Sequence, residues 1–282
     1  MQDTELSEGK LGAVLTSTFL HAPGVGQKTE IALWRQGART WADFLQDTGR
    51  WDLTATRRAS LEIEVDRSVR ALNAARFQYF ARALPVAERW RAFSEFEQEA
   101  GYVDIETDGG MEAESITMVG LYAFGEFRAF VKGEDLGSFA DAVERCSMLI
   151  TFYGTGFDIP MLQRAFPMLP FDQIHVDLCP TLRRLGLRGG LKSIERQLGI
   201  VRSDETEGLS GWDAVHLWRR YLRGDNEALR LLIQYNREDC VNLERLMRFA
   251  FRNLSQACLS AMDPDEAEVG KVQRFAAKGS DR

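Results

Sequence analysis

The fold of this protein is decided by residues 102–107, which read Tyr-Val-Asp-Ile-Glu-Thr. A short run rich in aromatic and β-branched residues predicts a strand. Because side chains two apart on a strand point to the same face, Asp104 and Glu106 project together, whereas Val103 and Ile105 face the other side. Two neighbouring carboxylates on an apolar strand are costly unless a cation compensates them. The pair therefore indicates either a divalent-metal site or a strand end with solvated acids.

Strands and helices follow on the C-terminal side of this strand. Further strands are predicted over residues 115–124, 127–131 and 147–153, with a tight turn at Gly125-Glu126 joining the first two. Helices are predicted from apolar spacing over residues 135–145, 159–166, 180–185, 191–198, 212–222 and 226–254. Adjacent strands followed by a helix, a strand and further helices predict an α/β domain with a mixed sheet flanked by helices.

The rest of the chain is predicted to form separate regions. Residues 1–55 are expected to form short helical pieces around a glycine turn, and residues 56–98 a helical linker whose long helix breaks at Pro85. The α/β domain is expected over residues 99–255, and the polar residues 256–282 are expected to form a disordered tail. The chain is thus predicted to combine the α/β domain with a helical N-terminal region.

The composition of the 282 residues favours a folded protein in a reducing compartment. No apolar run is long enough to span a bilayer, and residues 1–10 lack the features of a secretory signal. The four cysteines are scattered without a Cys-x-x-Cys pair, so neither a zinc site nor a disulfide framework is predicted. We therefore expect a cytoplasmic protein with no membrane partner.

The net charge of −7 gives no support for nucleic-acid binding at the level of the whole chain. Metal-binding carboxylates count as negative in this total, although bound ions would offset them. Basic residues also cluster locally, within residues 183–196 and 219–223. These clusters are either solvated helix faces or binding surfaces, and Lys192 in the first of them is predicted to contact nucleic acid.

A third acid, Asp158, follows the apolar strand that is predicted to end at Tyr153. Gly154 and Gly156 permit the backbone to turn before the next helix. Asp158 is therefore predicted either to cap that helix or to add a third carboxylate to the site. Asp177 offers a similar choice between a further acid and a helix cap, and the cap is favoured.

A fourth acid lies on the predicted C-terminal helix, in Tyr235-Asn-Arg-Glu-Asp239. Residues four apart share a helix face, so Tyr235 and Asp239 lie together. Leu232 and Leu243 supply apolar surface nearby, and an acid on the buried side of such a helix requires a partner. Asp239 is either an acid with such a partner or a surface residue beside Arg237.

In this order along the chain, the three acidic motifs resemble those of the DEDD exonucleases, whose ribonuclease H-like fold gathers four carboxylates around two metal ions. The Tyr-x-x-x-Asp motif is similar to the DEDDy branch of these DnaQ-like enzymes. The chain from residue 88 to about 250 also resembles the YprB-type group of predicted exonucleases. The motifs that carry this second resemblance are Glu88-Arg-Trp-Arg91, the strand at 102–107, His175-Val-Asp-Leu178, Leu191-Lys-Ser-Ile-Glu195 and the final motif.

One position departs from the YprB-type pattern. The group often has Phe-Asn-Gly where this chain has Phe152-Tyr-Gly154. An asparagine that could contact the substrate or order the site is therefore replaced by Tyr153.

The resemblance implies hydrolysis of phosphodiester bonds with two divalent ions, Mg²⁺ or Mn²⁺. It implies that Asp104, Glu106, Asp158 and Asp239 are metal ligands, with Asp158 acting partly through ordered water. Tyr235 is expected to orient the attacking water, because an unperturbed tyrosine with a pKa of about 10 is a poor base near neutrality. These five residues form the predicted catalytic set.

A glycine-rich turn in residues 20–30, Leu-His-Ala-Pro-Gly-Val-Gly-Gln-Lys-Thr-Glu, resembles a helix-hairpin-helix motif. The backbone amides of Gly24 and Gly26, together with Lys28, are predicted to hold a phosphate of nucleic acid without reading its bases. The alternative is an ordinary turn between two helices that packs through its flanking apolar residues.

Two functions of different classes are compatible with these motifs. The first is a metal-dependent 3′–5′ exonuclease on single-stranded ends, with DNA favoured over RNA as the substrate. The second is a nucleic-acid-binding module with a weakened or inactive nuclease site. Tyr153, in place of the expected asparagine, is the residue that suggests it. Either function leaves open a partner protein that delivers the nucleic acid.

Overall fold

A computed structural model describes residues 14–262 of the chain. Of these, residues 14–95 and 251–262 form one compact unit, and residues 96–250 form the other. The predicted region boundaries after residues 55, 98 and 255 stay predictions. Residues 1–10, for which no secretory signal was predicted, and residues 263–282 of the expected tail lie outside the described residues.

Within residues 14–262, no helix combines the length and the apolar character that crossing a membrane requires.

The N-terminal part of the chain is helical, as expected. Its α-helices are α1 (Gln27–Gln36), α2 (Trp41–Gln46), α3 (Ala55–Asn73), α4 (Phe77–Ala83) and α5 (Phe93–Phe96), with 3₁₀ turns at Thr48–Arg50, Val86–Ala92 and Glu97–Glu99.

The single long helix predicted up to Pro85 is wrong, because the chain breaks between α3 and α4. Ala75 adopts a left-handed φ of 49°. The amide of Arg76 then donates to the carbonyl of Ala71 at 2.9 Å, a bond that closes the end of a helix. Neither glycine nor proline marks this break, so the apolar spacing alone predicted one helix.

The glycine turn differs from the predicted hairpin on its N-terminal side. Gly24 has a φ of 77°, and Gly26 is the N-cap of α1, but residues 14–24 form turns instead of a preceding α-helix. The flanking apolar side chains Phe19, Leu33 and Trp34 are buried. The flanking residues therefore pack as the alternative interpretation expected, although the described residues before the turn form no helix, and phosphate binding by the turn stays a prediction.

The Glu88-Arg-Trp-Arg91 motif forms part of a buried ion cluster in this unit. Arg91 donates to Glu88 at 2.7 Å and to Glu30 of α1 at 3.3 Å. Glu30 also accepts from the hydroxyl of Thr18 at 2.7 Å and from the amide of Phe19 at 2.9 Å. These charges have close partners, which buried ions require.

The second unit contains a five-stranded mixed sheet, which confirms the predicted fold class. Its strands are β1 (Ala100–Thr107), β2 (Ile116–Ala123), β3 (Glu126–Val131), β4 (Met148–Thr151) and β5 (Ile174–Asp177), in the spatial order β3-β2-β1-β4-β5. Strand β1 is antiparallel to β2 and parallel to β4. Strand β5 was not predicted, because four residues with a polar His175 carry too short a pattern.

Helices flank this sheet close to their predicted positions. They are α6 (Phe139–Val143), α7 (Asp158–Ala165), α8 (Leu178–Arg183), α9 (Leu191–Gln197), α10 (Gly211–Tyr221) and α11 (Asn226–Met262), with 3₁₀ turns at Ala113–Ser115 and Leu136–Ser138. The helix predicted over 135–145 is thus a 3₁₀ turn followed by a short α-helix. Residues 256–262, which were assigned to a disordered tail, continue α11, and Met262 is buried.

The two faces of the sheet have different apolar partners. Val103 and Ile105 pack in a cluster with Met161 and Leu162 of α7. On the other face, a second cluster joins β2 and β3 to the helices α10 and α11, and it contains Tyr235. The carboxylates of β1 therefore lie on the face that α11 covers.

Candidate metal centre

Strand β1 presents the first two acids as the alternation predicted. Val103 and Ile105 lie in the apolar core, and Glu106 is buried on the opposite face with Asp104 half-buried beside it. The acids are therefore not the solvated strand end that was the alternative interpretation.

Asp158 reaches β1 from the start of α7. Strand β1 pairs with β4 only as far as Tyr102, so the amide of Ile105 has no strand partner on that side. It donates instead to Asp158 Oδ1 at 3.2 Å. Asp158 is the first helical residue, and the N-cap position belongs to Phe157. Asp158 therefore contacts β1 and does not occupy the cap position, and its role as a metal ligand stays a prediction.

Helix α11 presents Asp239, with Tyr235 and Asn236 on the preceding turn. The Asn236 amide nitrogen donates to Asp104 Oδ2 at 2.9 Å and lies 3.4 Å from Glu106 Oε1. Asn236 thus ties α11 to both acids of β1, a role that the sequence did not suggest. Its one signal was its place in the same motif as Tyr235 and Asp239.

Three of the four predicted ligands converge. One carboxylate oxygen from each of Asp104, Glu106 and Asp239 lies within 4.8 Å of the others. Asp158 is outside this set of three, although it lies close enough for its charge to raise the pKa of Asp104. An all-oxygen donor set of this kind fits a hard divalent cation such as Mg²⁺ or Mn²⁺.

Burial and mutual repulsion disfavour the charged forms of the carboxylates in the cluster. Burial, followed by repulsion from neighbouring carboxylates, raises the pKa of Glu106 to about 8 and that of Asp104 well above its ordinary value. Burial raises the pKa of Asp158 to about 7. The pKa of Asp239 is raised by burial to about 6, against the opposing effect of Arg202. A bound cation would relieve this repulsion, so the residues fit a metal site.

Comparison with known protein families identifies this fold. A family model described as RNase H superfamily matches residues 101–250, more than half of the chain. The chain belongs to the RNase H superfamily. A search of curated proteins gave no match. Membership of the RNase H superfamily supports a nuclease that acts on nucleic acid and a divalent metal at the acidic cluster.

In this RNase H superfamily member, two basic side chains lie next to the carboxylates. Neither belongs to the acidic motifs. Lys192 of α9 donates to the hydroxyl of Tyr235 at 2.6 Å and to the carbonyl of Leu209. The predicted contact of Lys192 with nucleic acid stays a prediction. Arg202, between α9 and α10, forms an ion pair with Asp239.

Sequence reasoning also missed Glu195, the partner of Arg202. Glu195 and Lys192 are three residues apart on α9, inside the motif Leu191–Glu195 that carried the resemblance. The side chain of Glu195 is 2% exposed. The sequence did not predict this burial, because a charged residue is ordinarily expected at the surface.

Asp177 serves as the expected cap. Its Oδ1 accepts from the amide of Cys179 in α8 at 3.0 Å and from the amide of Tyr153 at 2.8 Å, while Oδ2 accepts from Thr155 at 3.0 Å. Asp177 thereby holds the loop that precedes Asp158 in this RNase H superfamily fold.

Tyr153, which departs from the expected pattern, has an unusual backbone conformation. Its φ is 65°, in the left-handed region, and 60% of the residue is exposed. Asparagine adopts this conformation more readily than tyrosine. The backbone at this position therefore favours asparagine over tyrosine on conformational grounds alone.

Proposed function

We propose that this protein is a two-metal-dependent exonuclease of single-stranded nucleic acid, with 3′–5′ polarity and a preference for DNA. The observation that carries the proposal is the convergence of Asp104, Glu106 and Asp239, whose oxygens lie within 4.8 Å of one another. The polarity comes from the resemblance to the DEDDy enzymes.

In this proposal Asp104, Glu106 and Asp239 hold one divalent ion, and Asp158 contributes to a second, partly through water. When bound, the ions would activate a water and stabilise the leaving oxygen of the phosphodiester. The protein side chains would fix the ligands in place, with Asn236 orienting both acids of β1.

Tyr235 would act as a hydrogen-bond donor. Burial and the nearby acids Asp239 and Glu106 raise the pKa of Tyr235, so its hydroxyl stays protonated at neutral pH. The ammonium of Lys192 can only donate, so the Tyr235 oxygen accepts in their 2.6 Å hydrogen bond. The single hydroxyl proton is then available to the attacking water or to the substrate phosphate.

The glycine turn would supply a second contact with the nucleic-acid backbone. Gly24 lies at the wall of a cavity of about 790 Å³, which is also lined by Arg76 and Arg82. Both arginines are exposed. We propose that these guanidinium groups, with the amides of Gly24 and Gly26 and the side chain of Lys28, bind phosphates without reading sequence.

The experiment that tests the function measures release of mononucleotides from labelled single strands of DNA and RNA, with Mg²⁺ or Mn²⁺ or with EDTA. Asp104→Ala should abolish release and leave substrate binding largely intact. The matched control is Asp141→Ala, an exposed acid on α6, which should cleave like the unaltered protein. Undiminished cleavage by Asp104→Ala, in a preparation free of contaminating nuclease, would exclude this site.

Polarity is tested by blocking the strand ends in turn. A 3′-phosphate should stop digestion because an enzyme of this polarity begins at the 3′ end. A strand that is blocked only at its 5′ end should still be digested. The opposite pattern would contradict the proposed polarity and leave the metal site untouched.

The second candidate function is a nucleic-acid-binding module with an inactive nuclease site, and the observation that favours it is Tyr153 in place of asparagine. This function predicts metal-independent binding of single strands with no release of nucleotides under any metal. Tyr153→Asn would then restore cleavage.

A further inference from the structure

The segment between α9 and α10 places a guanidinium against a carboxylate of the cluster. Arg202 Nη2 bonds to Asp239 Oδ1, and the side chains of both residues are almost fully buried. Arg202 also donates through Nε and Nη2 to the two oxygens of Glu195, each at 2.7 Å. The guanidinium therefore bridges a buried acid of α9 and a predicted metal ligand of α11.

Both sides of this bridge are themselves fixed. Asn242, one turn beyond Asp239 on α11, donates to Glu195 Oε1 at 3.0 Å. Glu238, the neighbour of Asp239, accepts from the hydroxyl of Ser203 at 2.6 Å. The backbone next to Arg202 is thus anchored to the same turn of the helix that carries Asp239.

The contact occupies only one oxygen of Asp239. Among the described residues, Arg202 bonds to Oδ1, and no hydrogen bond is made to Oδ2. One oxygen of Asp239 lies within 4.8 Å of an oxygen of Asp104 and of Glu106, and the bond from Arg202 to Oδ1 limits rotation of this carboxylate.

We propose that Arg202, held by Glu195, is a positioning residue that fixes the Asp239 carboxylate for metal binding. This inference rests on the proposed metal-dependent function. Residues that orient metal ligands from behind commonly change metal affinity by about 10- to 100-fold when they are replaced.

The opposite effect is expected if Arg202 is only a neighbouring charge. A guanidinium close to a cation site repels the cation, so its removal would tighten metal binding. If Arg202 competes with the metal for Asp239, its removal would also tighten binding. The direction of the change in affinity therefore separates positioning from repulsion or competition.

The test is a titration of the full chain with Mn²⁺ in the absence of nucleic acid. Electron paramagnetic resonance measures the free and bound Mn²⁺ at each step. Arg202→Met should weaken Mn²⁺ binding by about 10- to 100-fold. Arg202→Lys should lie between Arg202→Met and the unaltered protein, because lysine keeps the charge but cannot form the same two-pronged bridge. Mn²⁺ binding by Arg202→Met that is as tight as, or tighter than, that of the unaltered protein would overturn the proposal.

The matched control is Arg220→Met. Arg220 also donates through Nε and Nη2 to an acid, at 2.9 and 2.7 Å, although both bonds go to Oδ2 of Asp225; its side chain is 57% exposed and it does not contact the carboxylate cluster. Its replacement should leave Mn²⁺ affinity unchanged. Circular dichroism of the metal-free variants checks that each has folded.

A second variant covers the case in which Arg202→Met does not fold. Glu195→Gln keeps the guanidinium and removes the charge that holds it, so Mn²⁺ affinity should again fall. Unchanged affinity in Glu195→Gln would overturn the proposal. Asp104→Asn serves as the reference for the proposed function: if it binds Mn²⁺ like the unaltered protein, the metal site itself is wrong, whatever Arg202 does.

Discussion

At the scale of single residues, Tyr153 holds a backbone conformation that its side chain disfavours. A non-glycine residue at a φ of 65° costs of the order of 1 kcal/mol, and asparagine tolerates this region best among the side chains. We expect Tyr153→Asn to raise the free energy of unfolding by up to about 1 kcal/mol. The measurement is chemical denaturation of the metal-free protein.

Tyr153→Phe is the control for this prediction, because it keeps both the ring and the backbone cost. It should have the stability of the unaltered protein. Equal stabilities for the asparagine and phenylalanine variants would mean that the left-handed backbone does not favour asparagine at this position.

At the scale of elements, the approach of α11 to β2 depends on the absence of a side chain at Gly120. A Cβ there would lie 1.7 Å from Asn236 Oδ1 and 2.8 Å from Cys240 Sγ. Overpacking of this kind commonly costs about 1–3 kcal/mol, and here it would push away the residue that holds Asp104. Gly120→Ala should therefore lower both the melting temperature and the cleavage rate.

Gly137→Ala is the matched substitution for Gly120→Ala. A Cβ at Gly137 meets no atom within 4 Å, so this variant should melt and cleave like the unaltered protein. Full activity in Gly120→Ala would show that cleavage does not depend on the position of Asn236 beside Asp104 and Glu106.

A second element-scale prediction concerns the cavity beside the glycine turn. The double variant Arg76→Gln, Arg82→Gln should weaken binding of single strands, most strongly at low salt, because phosphate contacts release counterions. The slope of affinity against salt should fall by roughly one for each lost phosphate contact. Binding is measured by fluorescence anisotropy over a series of salt concentrations.

Arg57→Gln controls for the loss of positive charge, because Arg57 is an exposed residue of α3 that does not line the cavity. The double variant should still cleave a very short strand at the normal rate. If the dependence of affinity on salt were the same in the double variant and in Arg57→Gln, the cavity would have no role in binding. Deletion of residues 1–55 is a poorer test, since it removes Glu30, the partner of Arg91.

At the scale of the whole molecule, the carboxylate cluster couples stability to pH and metal. Folding raises the pKa of Glu106 to about 8 and raises that of Asp104 well above its ordinary value. Between the ordinary carboxyl pKa of about 4 and the raised pKa of Glu106, the folded chain binds more protons than the unfolded chain, so stability falls as pH rises through this range. In EDTA, the melting temperature should be lower at about pH 8.5 than at about pH 6.5.

Metal should reverse this pH dependence, because a divalent ion favours the ionised carboxylates. Mn²⁺ should raise the melting temperature more at the higher pH, and Asp104→Asn should flatten both effects. A melting temperature in EDTA that increases between the two pH values, with no difference between the unaltered protein and Asp104→Asn, would contradict this account of the cluster.

Much of the fold and part of the site were predictable because they depend on local patterns. The alternation in residues 102–107 placed Asp104 and Glu106 on one face, and helical spacing placed Tyr235 beside Asp239. Apolar runs located four of the five strands. These patterns reflect the geometry of one strand or one helix, which neighbouring residues determine without reference to the rest of the chain.

The tertiary structure alone decided which distant groups surround the acids. Asn236 meets Asp104 across 132 positions of sequence, and Arg202 meets Asp239 across 37. Spacing along the chain gives the face on which a residue lies but not the element that packs against that face. The burial of Glu195 and the short strand β5 have the same origin, since each is stabilised by contacts that form only when the elements come together.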